Sequence, residues 1–477
     1  MKKILLLNPP VGFFQRGEDR CQANIEGSTS GSLRACNDLG YMAAVAIKMG
    51  YECKIADYPA EGLSWSDYIS DLESFKPDIT IMSITTATIE KDMKAFELAK
   101  KYIPSVITIA KGAHFLSCST EELNKDIYKV MDIAISGESE FITKELLDKI
   151  QTPALLSEVK GIFYWNESKT KILKTRDPHF NDDLDSIPFP ARELMNNKLY
   201  IRPDTGEPMA TISVSRGCPA SCTYCLTPVV SGKKLRKRSS KNIVDEIQEC
   251  VEKHGIKSFF FKADTFTIDK KWVTEVCEEI ISRKLKISWG ANSRVRPLEP
   301  ETLKLMKKAG CWLIAFGLES GSDESLEKMK KGATKQEAIN AVKWAKEAGL
   351  KVYGYYLIGF PWETKEHIEE TIDFAKKLDC DYVEFHIVVP FEGTELYEEL
   401  KETGFLEGEA IGHDSFINPV MKTKYLSTEE LLLLKNRALK ELCLNPRYII
   451  KTLWGIRRLN EFKNYAKFGL RMIKNII

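Results

Sequence analysis

Three cysteines stand close together near the middle of the chain, at Cys218, Cys222 and Cys225. Their spacing of C-x3-C-x2-C lets three thiolates bind three irons of a cubane cluster and leaves the fourth iron open to an outside ligand. A structural zinc ion takes four ligands, and no fourth cysteine or histidine lies nearby in the sequence. The denser cysteine run of ferredoxins is absent as well. The pattern therefore predicts a 4Fe-4S cluster with one open coordination position.

In this motif the chain resembles the radical S-adenosylmethionine (SAM) enzymes. The resemblance implies that the methionine part of SAM chelates the open iron, and that an electron from the cluster cleaves SAM to a 5′-deoxyadenosyl radical. The alternatives for the motif are three cysteines that are close by chance and a partial zinc knuckle. The sequence has no further closely spaced cysteines for a second cluster, which disfavours the methylthiotransferases.

Length and composition are those of an ordinary water-soluble protein of two or three domains. The 477 residues are 43% hydrophobic and 29% charged, with a net charge of +1, so overall electrostatics favour neither nucleic acid nor membrane. Twelve cysteines without a disulfide-like framework indicate a reducing compartment. The short apolar run near the N-terminus predicts a buried strand and not a signal peptide. No apolar run reaches the roughly 18 residues of a spanning helix, and we expect a cytoplasmic protein.

Residues 1–150 alternate short β-rich runs with longer helical patterns. Five strands are predicted, at Ile4–Leu7, Glu52–Ala56, Ile79–Met82, Val106–Ile109 and Ile133–Ile135. Helices are predicted between them, at Leu39–Met49, Ser66–Ser74, Lys91–Lys101 and Thr120–Lys125. Such alternation predicts a doubly wound, Rossmann-like parallel sheet of the α/β class, in which ligands bind at the carboxyl ends of the strands. No G-x-G-x-x-G follows the first strand, which counts against a dinucleotide site.

The loops at these strand ends resemble those of the cobalamin-binding domain of the cobalamin-dependent radical SAM enzymes. That group includes the anaerobic magnesium-protoporphyrin cyclase, hopanoid-modifying enzymes and C- and P-methylases. The shared features are Pro-Pro after the first strand, a Leu-Gly-Tyr-x-Ala-Ala helix at Leu39–Ala44, a Gly-Gly-x-His loop and a Gly-Glu-x-Glu loop. The resemblance implies that cobalamin is bound by residues of these loops: Asn8, Pro9, Pro10, Thr85, Thr86, Gly112, Ala113, His114, Gly137 and Glu138.

Two residues of this domain depart from the family pattern or leave a choice open. Lys111 stands where the family has the first glycine of the Gly-Gly-x-His loop, and it could crowd a corrin edge or phosphate. His114 is either a ligand or a loop histidine bonded to the backbone. No D-x-H-x-x-G run exists, so nothing supports replacement of the lower base of cobalamin by a histidine. The alternative for the whole domain is a Rossmann-like module that has lost its corrinoid.

Residues 151–205 are predicted to connect two domains. The segments Gly161–Trp165 and Lys171–Lys174 predict a β-hairpin. Pro188 and Pro190 impose an extended chain after it. The segment Leu184–Pro190 resembles the Leu-Asp-x-Ile-Pro-x-Pro linker between the two modules of the family.

Residues 206–400 alternate strands and helices again. Six strands are predicted, at Thr211–Ser215, Ser258–Lys262, Lys286–Ala291, Leu313–Gly317, Val352–Ile358 and Tyr382–Val388. Five helices are predicted, at Asn242–Lys253, Lys270–Arg283, Pro300–Ala309, Lys335–Ala348 and Lys365–Lys377. These six βα-like units are consistent with the partial (β/α)6 TIM barrel of radical SAM enzymes. Active residues in such barrels lie at the C-terminal ends of the strands.

The residues at those strand ends resemble the motifs with which the family contacts SAM. Gly317–Gly321 matches Gly-x-Glu-Ser, Gly359–Glu363 matches the Gly-x-Pro-x-Glu turn, and Ala263–Phe266 keeps only the second aspartate of Asp-Asp-x-Phe. The resemblance implies that SAM is contacted by Tyr224, Asp264, Asn292, Arg294, Glu319, Ser320, Gly359 and Pro361. Two alternatives stay open: Tyr224 as a core tyrosine, and Ser320 as a capping residue in a turn.

Residues 401–477 are predicted to be a helical tail. From Arg447 on, the sequence has eight basic residues and one acid, Glu461. Apolar residues recur every three to four positions beside a basic stripe, at Phe462, Ala466, Leu470, Ile473 and Ile477. This is the pattern of a basic amphipathic helix that anchors a protein in a membrane interface. The alternative is a helix that docks on the barrel and shows water a basic face.

Together these features predict a cobalamin-dependent radical SAM enzyme. We expect hydrogen abstraction from an unactivated substrate carbon by the 5′-deoxyadenosyl radical, followed by methyl transfer from methylcobalamin. The alternatives are oxidation, cyclisation or rearrangement of a lipid or tetrapyrrole-like substrate, with or without cobalamin. A carrier or sensor without catalysis is a further alternative. The sequence assigns no catalytic acid or base.

The expected partners are a small-molecule or lipid substrate and an electron donor such as flavodoxin or ferredoxin. The basic C-terminal helix adds an expectation of peripheral contact with the inner face of the membrane. Nucleic acid is not expected, because the net charge is near zero and no basic RNA-binding module is appended.

Overall fold

The computed structural model describes residues 1–16, 33–177, 180–406, 418–456 and 458–476. These residues form two compact units. The first unit contains residues 1–16, 33–200 and 229–232, and the second contains residues 201–228 and those from 233 on. The residue Ile477, which belongs to the predicted amphipathic pattern, lies outside the described residues.

The first unit is built on one seven-stranded sheet. Its strands are β1 Lys3–Asn8, β2 Glu52–Asp57, β3 Ile79–Ser83, β4 Ile107–Lys111, β5 Ile133–Ile135, β6 Ile162–Trp165 and β7 Ile172–Lys174. The strand order is β2-β1-β3-β4-β5-β6-β7. The first five strands are parallel, and the hairpin β6–β7 extends the sheet in antiparallel fashion. The order reverses at β1, which places a ligand-binding crevice beside the carboxyl ends of β1 and β3.

Helices cover both faces of this sheet. They are α1 Asn37–Lys48, α2 Tyr58–Glu61, α3 Trp65–Phe75, α4 Ile89–Tyr102, α5 His114–Ser117, α6 Thr120–Leu123 and α7 Ser139–Lys149. Alternate residues of β1 pack into separate cores: Ile4 and Leu6 on one side, Leu5 and Leu7 on the other. This period of two is what a strand buried on both faces requires. The predicted doubly wound sheet is therefore confirmed, and its loops lie at the carboxyl edge.

The second unit is built on a six-stranded parallel sheet and has a separate ribbon of two short strands. The eight strands of the unit are β8 Met209–Ser213, β9 Ser215–Arg216, β10 Arg236–Lys237, β11 Ser258–Lys262, β12 Ser288–Ser293, β13 Cys311–Glu319, β14 Lys351–Ile358 and β15 Tyr382–Ile387. The sheet has the order β8-β11-β12-β13-β14-β15, and β9 and β10 form a separate two-stranded ribbon. Every neighbouring pair in the sheet is parallel. This is the predicted partial (β/α)6 barrel.

Helices of the second unit return the chain between strands and then follow the last strand. They are α8 Thr227–Val230, α9 Ser240–His254, α10 Lys270–Ser282, α11 Pro300–Lys308, α12 Asp323–Lys328, α13 Lys335–Glu347, α14 Lys365–Leu378, α15 Glu395–Thr403, α16 Thr428–Cys443, α17 Pro446–Gly455 and α18 Leu459–Ile476. In the described part of the chain, no helix is both long and apolar enough to cross a bilayer.

The strand β14 shows how the barrel separates its core from its inner wall. Every second residue is buried, and Val352 and Tyr356 pack into the apolar core beneath the helices. The alternate residues Tyr353 and Tyr355 face the other side of the sheet, with ring centroids 4.6 Å apart. The Tyr353 hydroxyl donates a hydrogen bond of 2.9 Å to Glu384. The inner wall is therefore polar and aromatic.

The amino ends of the barrel strands are covered by a turn and by α18. The guanidinium of Arg202 lies 3.5 Å from the ring centroid of Trp312 and donates to the Ser288 hydroxyl at 3.0 Å. The hydroxyl of Tyr465 in α18 hydrogen-bonds to that of Tyr382 at 2.8 Å. The end of the barrel opposite the cysteine loop is thus occupied by protein, which leaves the carboxyl ends for chemistry.

Candidate active site

The three cysteines lie in the loop that follows β8 and the short strand β9, at the carboxyl edge of the barrel. Cys218 is buried, and Cys222 and Cys225 are half-buried. In the described residues, no three histidine, cysteine or carboxylate side chains are grouped as ligands of one metal ion. Each thiol instead faces a hydrogen-bonding group: Arg294 Nη1 at 3.3 Å from Cys222 Sγ, Thr227 Oγ1 at 3.2 Å from Cys225 Sγ, and Thr265 Oγ1 at 3.8 Å from Cys218 Sγ.

These contacts fit sulfur atoms that carry negative charge. A metal-bound thiolate is stabilised by nearby hydrogen-bond donors and cations, and the Arg294 guanidinium is both at Cys222. The hydroxyls of Thr227 and Thr265, whose protons go to Asp264, are polar neighbours of the other two sulfur atoms. The chemistry of the donor set therefore fits the predicted cluster.

The carboxylate of Asp264 holds the cysteine loop in place. It accepts hydrogen bonds from the Gly217 amide at 3.0 Å and from the Thr227 hydroxyl at 3.3 Å, so it contacts the loop on both sides of the cysteines. Gly217 has φ of 83°, a left-handed conformation that glycine adopts without strain. The geometry thus assigns Asp264 an anchoring role, and its predicted contact to the SAM amino group stays a prediction.

Glu319 ends β13 in a conformation that is rare for a residue with a side chain. Its φ is 61°, and such strain is typically kept at functional positions. The carboxylate forms an ion pair of 2.6 Å with Lys331, and both side chains are less than a tenth exposed. A Cβ atom on Gly317 would lie 2.4 Å from Glu319 Oε1 and 2.9 Å from Lys331 Nζ. A side chain at 317 would therefore displace the charged ends of this pair.

Lys331 also links this ion pair to the cysteine loop. Its backbone carbonyl accepts a hydrogen bond from Arg294, whose other nitrogen donates to Cys222. The predicted site residues Arg294 and Glu319 therefore belong to one network. Lys331 itself was missed in the sequence, where nothing distinguishes it from the adjacent Lys330.

Tyr224 is both a core residue and a neighbour of the charged network. Its ring packs edge-on against Phe360, with centroids 5.5 Å apart, beside an apolar cluster that includes Leu396. Burial raises the pKa of the Tyr224 phenol well above its usual value, and a hydrogen bond to Glu319 and the nearby cysteines raise it further. The phenol therefore stays protonated, and it helps to fix Glu319.

Asn292 and Ser320 were both predicted to contact SAM, and the structure places them differently. The Oδ1 atom of Asn292 is buried without a protein hydrogen-bond partner, as expected for an acceptor that awaits a ligand. Ser320 is fully buried. Its hydroxyl lies 3.1 Å from that of Thr371 and accepts from the Ser322 amide at 3.1 Å. This position favours the turn-capping alternative for Ser320.

The turn after β14 is held by a buried carboxylate. Glu363 accepts hydrogen bonds from the Gly359 amide at 2.7 Å, the Phe360 amide at 3.1 Å and the Ser325 hydroxyl at 3.1 Å. Gly359 has φ of 92°, and the Pro361 carbonyl accepts from the Lys424 amide at 2.9 Å. The backbone of Gly359 and Pro361 is therefore rigidly placed at the site edge, and their contact with SAM stays a prediction.

In the first unit, the predicted cobalamin residues lie along the carboxyl edge of the sheet. Asn8 ends β1, donates to the buried Asp57, and keeps its Oδ1 atom buried without a protein partner. Pro9 and Pro10 follow directly. An unpaired acceptor at the point where the strand order reverses fits a ligand with amide donors, such as the side chains of a corrinoid.

The loop after β4 is packed tightly against the loop after β3. Gly112 has φ of 143°, and a Cβ atom there would lie 2.2 Å from the Ile84 carbonyl oxygen. The neighbouring Lys111 is buried and forms an ion pair with Asp38 of α1, and the Ser83 hydroxyl donates to the same carboxylate at 3.2 Å. The side chain that departs from the family pattern is therefore engaged within the protein.

His114 is held by side chains on both ring nitrogens. Nδ1 lies 3.0 Å from the Thr86 hydroxyl, and Nε2 lies 2.9 Å from the Tyr128 hydroxyl. Burial lowers the pKa of His114 to about 4, so the ring is neutral near pH 7. It is bonded to side chains and not to the backbone, and its contact with cobalamin stays a prediction.

The remaining predicted cobalamin residues lie at three neighbouring places on the edge, after β3, β4 and β5. Thr85 is buried, and its amide donates to Asp92 at 3.2 Å. Ala113 directly precedes α5. Gly137 follows β5, and the Glu138 carboxylate next to it accepts from the Asn181 amide at 3.2 Å. The contact of these residues with cobalamin stays a prediction.

The buried carboxylate of Glu363 makes stability depend on pH. Burial raises the pKa of Glu363 to about 7, although the amide donors act in the opposite direction. The pKa of a glutamate in the unfolded chain is about 4.3. The contribution of the protonated Glu363 carboxyl to the free energy of unfolding is fully present below the pKa of the unfolded chain, and it is lost as pH rises through 7. The variant Glu363→Gln cannot titrate at this position, so we expect its stability to lack this pH dependence. The stability of the parent chain relative to the variant should fall by up to about 3 kcal/mol between pH 5 and pH 8.

Denaturant unfolding under anaerobic, reducing conditions at both pH values measures this difference. Glu347→Gln is the matched control, because Glu347 is an exposed glutamate on α13. A difference between parent and Glu363→Gln that stays constant from pH 5 to pH 8 would contradict the assignment.

Comparison with known proteins agrees with the fold and with the family resemblance. Residues 212–375 match the radical SAM superfamily. A methyltransferase of Pyrococcus horikoshii, named as uncharacterized, is 33% identical over 452 residues, which cover 95% of each chain. The anaerobic magnesium-protoporphyrin IX monomethyl ester cyclase of Cereibacter sphaeroides is 28% identical over 402 residues, which cover 83% of this chain and 64% of that enzyme.

A solved structure supports the same fold. The radical SAM methyltransferase TsrM of Kitasatospora setae, with cobalamin and a 4Fe-4S cluster bound, has a TM-score of 0.72 at 16% identity. The match covers 100% of this chain and 99% of TsrM, so the fold of each unit has a counterpart in that structure. The resemblance drawn from the sequence is confirmed: this chain belongs to the family of cobalamin-dependent radical SAM enzymes.

Proposed function

We propose that this enzyme transfers a methyl group to an unactivated carbon of a small-molecule or lipid substrate. The observation that carries the proposal is the cysteine loop at the carboxyl edge of a six-stranded parallel barrel, tied through Arg294 to Glu319. A doubly wound unit with a buried, unpaired acceptor at its switch point precedes that barrel. Relatives that match nearly the whole chain include a methyltransferase.

In this proposal Cys218, Cys222 and Cys225 hold the cluster, and the carboxyl edge of the first unit, beginning with Asn8, holds cobalamin. When bound, the cluster supplies the electron that cleaves SAM to a 5′-deoxyadenosyl radical, and cobalamin supplies the methyl group. The protein supplies position, charge and exclusion of water.

The charged network orients the amino acid and ribose parts of SAM. Glu319 offers a carboxylate whose position is fixed by Lys331 and Tyr224. Asn292 offers an unpaired amide oxygen on the neighbouring strand. Both acceptors suit the ammonium or hydroxyl groups of SAM, and the Gly359 turn borders the same edge.

The inner wall of the barrel then receives the substrate. Tyr353, Tyr355 and Glu384 line it with two adjacent, tilted rings and a hydrogen-bonded carboxylate. Hydrogen abstraction converts the radical to 5′-deoxyadenosine and leaves a carbon radical on the substrate. The aromatic wall suits a planar or apolar substrate body with a polar group at Glu384.

A second candidate outcome is oxidation or cyclisation of the substrate in place of methylation. It is favoured by the 28% identity to a cyclase over most of this chain. The same residues would serve, because hydrogen abstraction is the first step in both cases.

We further propose two partners. An external one-electron donor such as flavodoxin or ferredoxin is required by the chemistry, since the chain has no second group of closely spaced cysteines. Peripheral contact with the inner face of the membrane is supported by the C-terminal helix α18, whose Phe462 and Leu470 are exposed. The working place of the enzyme would then be the cytoplasm beside that membrane.

The two cofactor sites are expected to fail independently. Cys222→Ala should form no detectable 5′-deoxyadenosine from SAM under reductant, and should keep corrinoid absorption after reconstitution. Asn8→Leu should retain corrinoid at least about tenfold less well, because the buried acceptor is lost, and should keep iron–sulfur absorption. Absorption spectra and product chromatography of both variants measure this.

Three results would argue against the proposal. A reconstituted parent chain with iron–sulfur absorption but no corrin bands would remove cobalamin. Product formation that survives Cys222→Ala would remove the cluster assignment. If the parent chain binds the cluster and cobalamin but yields no 5′-deoxyadenosine, the protein would be a carrier or sensor and not an enzyme.

Arg294 is expected to raise the midpoint potential of the cluster. A cation that donates to a ligand sulfur stabilises the more negative, reduced cluster. Arg294→Gln should therefore lower the midpoint potential, and Arg294→Lys should lower it less, because charge is kept. Spin-resonance-monitored redox titration measures it. Arg296→Gln is the control, since Arg296 is exposed and pairs with Glu337; a midpoint for Arg294→Gln equal to that control would refute the role.

The substrate class is expected to be apolar. Anaerobic turnover with lipid extract and with polar extract should give a methyl mass increment in the lipid fraction. When SAM carries a deuterated methyl group, the added methyl group of the product should carry the deuterium. An increment confined to the polar extract would redirect the search to soluble metabolites, and a mass loss of hydrogen would favour oxidation or cyclisation.

A further inference from the structure

The helix α17 has two faces with different surroundings. On one face, the Tyr448 hydroxyl donates to the Asp381 carbonyl at 3.0 Å, and Thr452 is half-buried. Lys451 pairs with Asp379 at 3.1 Å. These contacts fix α17 on the second unit.

The opposite face is apolar and exposed to solvent. Its four large side chains are Ile449, Ile450, Leu453 and Trp454, with 42%, 60%, 48% and 86% of their surface exposed. Positions i, i+1, i+4 and i+5 lie on one side of a helix. Soluble proteins seldom leave such a contiguous set uncovered, and where they do it marks an interaction site.

The following helix α18 adds a second exposed apolar stripe. Phe462 is 49% and Leu470 is 70% exposed. The helix docks instead through polar residues: the Asn464 amide donates to the Asp204 carbonyl at 3.4 Å, and Tyr465 bonds to Tyr382. Among the described side chains of both helices, hydroxyl, amide and ammonium groups make hydrogen bonds to the second unit, and the large apolar groups named above are exposed.

The charge around these stripes is strongly positive. The sequence from Arg447 on carries eight basic residues and one acid, although the whole chain has a net charge of only +1. Lys463 and Lys467 are exposed beside the apolar stripe of α18. Exposed apolar groups flanked by lysine and arginine are complementary to a surface of anionic lipid headgroups over an acyl region.

We propose that α17 inserts its apolar face into the interface of an anionic phospholipid bilayer. Trp454 would lie at headgroup level, where its amphipathic ring is favoured, and the basic side chains of α18 would lie over the lipid phosphates. This inference rests on the membrane contact proposed above. It adds that the anchor is formed by residues of α17, which lie outside the amphipathic pattern of α18.

Vesicle co-sedimentation of the full-length, reconstituted enzyme tests the assignment. The probes are vesicles of phosphatidylcholine alone and of equal parts phosphatidylcholine and phosphatidylglycerol. The parent chain should bind the mixed vesicles, and added salt should weaken binding. The double variant Ile450→Ser, Trp454→Ser should bind at least about tenfold more weakly, because the inserted apolar area is lost. Leu433→Ser is the control, since Leu433 is a 69% exposed leucine on α16.

The outcomes separate this inference from its rivals. Binding that survives the double variant but not Phe462→Ser, Leu470→Ser would leave α18 as the sole anchor and overturn it. No vesicle binding, together with a dimer that the double variant dissociates, would assign the face to a second copy and overturn it as well. SAM cleavage in vesicle-free solution should be unchanged in the double variant, so a loss of catalysis is read separately from a loss of binding.

Discussion

The buried ion pair between Lys331 and Glu319 is the interaction on which the candidate site depends. Its atoms are 2.6 Å apart and nearly inaccessible to water, and removal of one partner of such a pair typically costs about 3–5 kcal/mol. The pair includes Glu319 in its left-handed conformation, lies directly against Gly317, and includes the residue whose carbonyl accepts from Arg294. Through Arg294 it reaches Cys222. A geometry fixed in this way needs little reorganisation when a charged ligand enters.

Parallel strands explain why these groups meet at all. Each β-strand of the barrel ends at the same edge, so residues separated by many positions in the chain converge there. Asp264 comes from the end of β11, Arg294 from that of β12 and Glu319 from that of β13. The first unit repeats the rule at its own carboxyl edge, where Asn8 and the Gly112 loop lie. In both units the cores under the sheet provide stability, while the loops at the edge are free to carry polar groups.

The sequence predicted elements well and contacts poorly. The strands β5 and β11 begin and end where periodicity placed them, because each alternates or is uniformly apolar between polar turns. The helix α7 was missed, although Ile142, Leu146 and Leu147 give it a helical stripe. Of the predicted site residues, the cysteines could be chosen from spacing alone. Lys331 could not, because its role depends on contacts with residues 12 and 37 positions away.

Pattern alone also cannot tell which face of an amphipathic helix is docked. The expectation for a surface helix is that apolar residues face the protein. In α18 the polar Asn464 and Tyr465 make the contacts, and Phe462 and Leu470 point outward. The cause lies at the amino end of the barrel, where Tyr382 and the turn around Asp204 offer hydroxyl and carbonyl partners instead of an apolar groove. The two alternatives for the tail, docking on the barrel and the proposed membrane anchor, are therefore compatible: Asn464 and Tyr465 make the first contact, and Phe462 and Leu470 are exposed for the second.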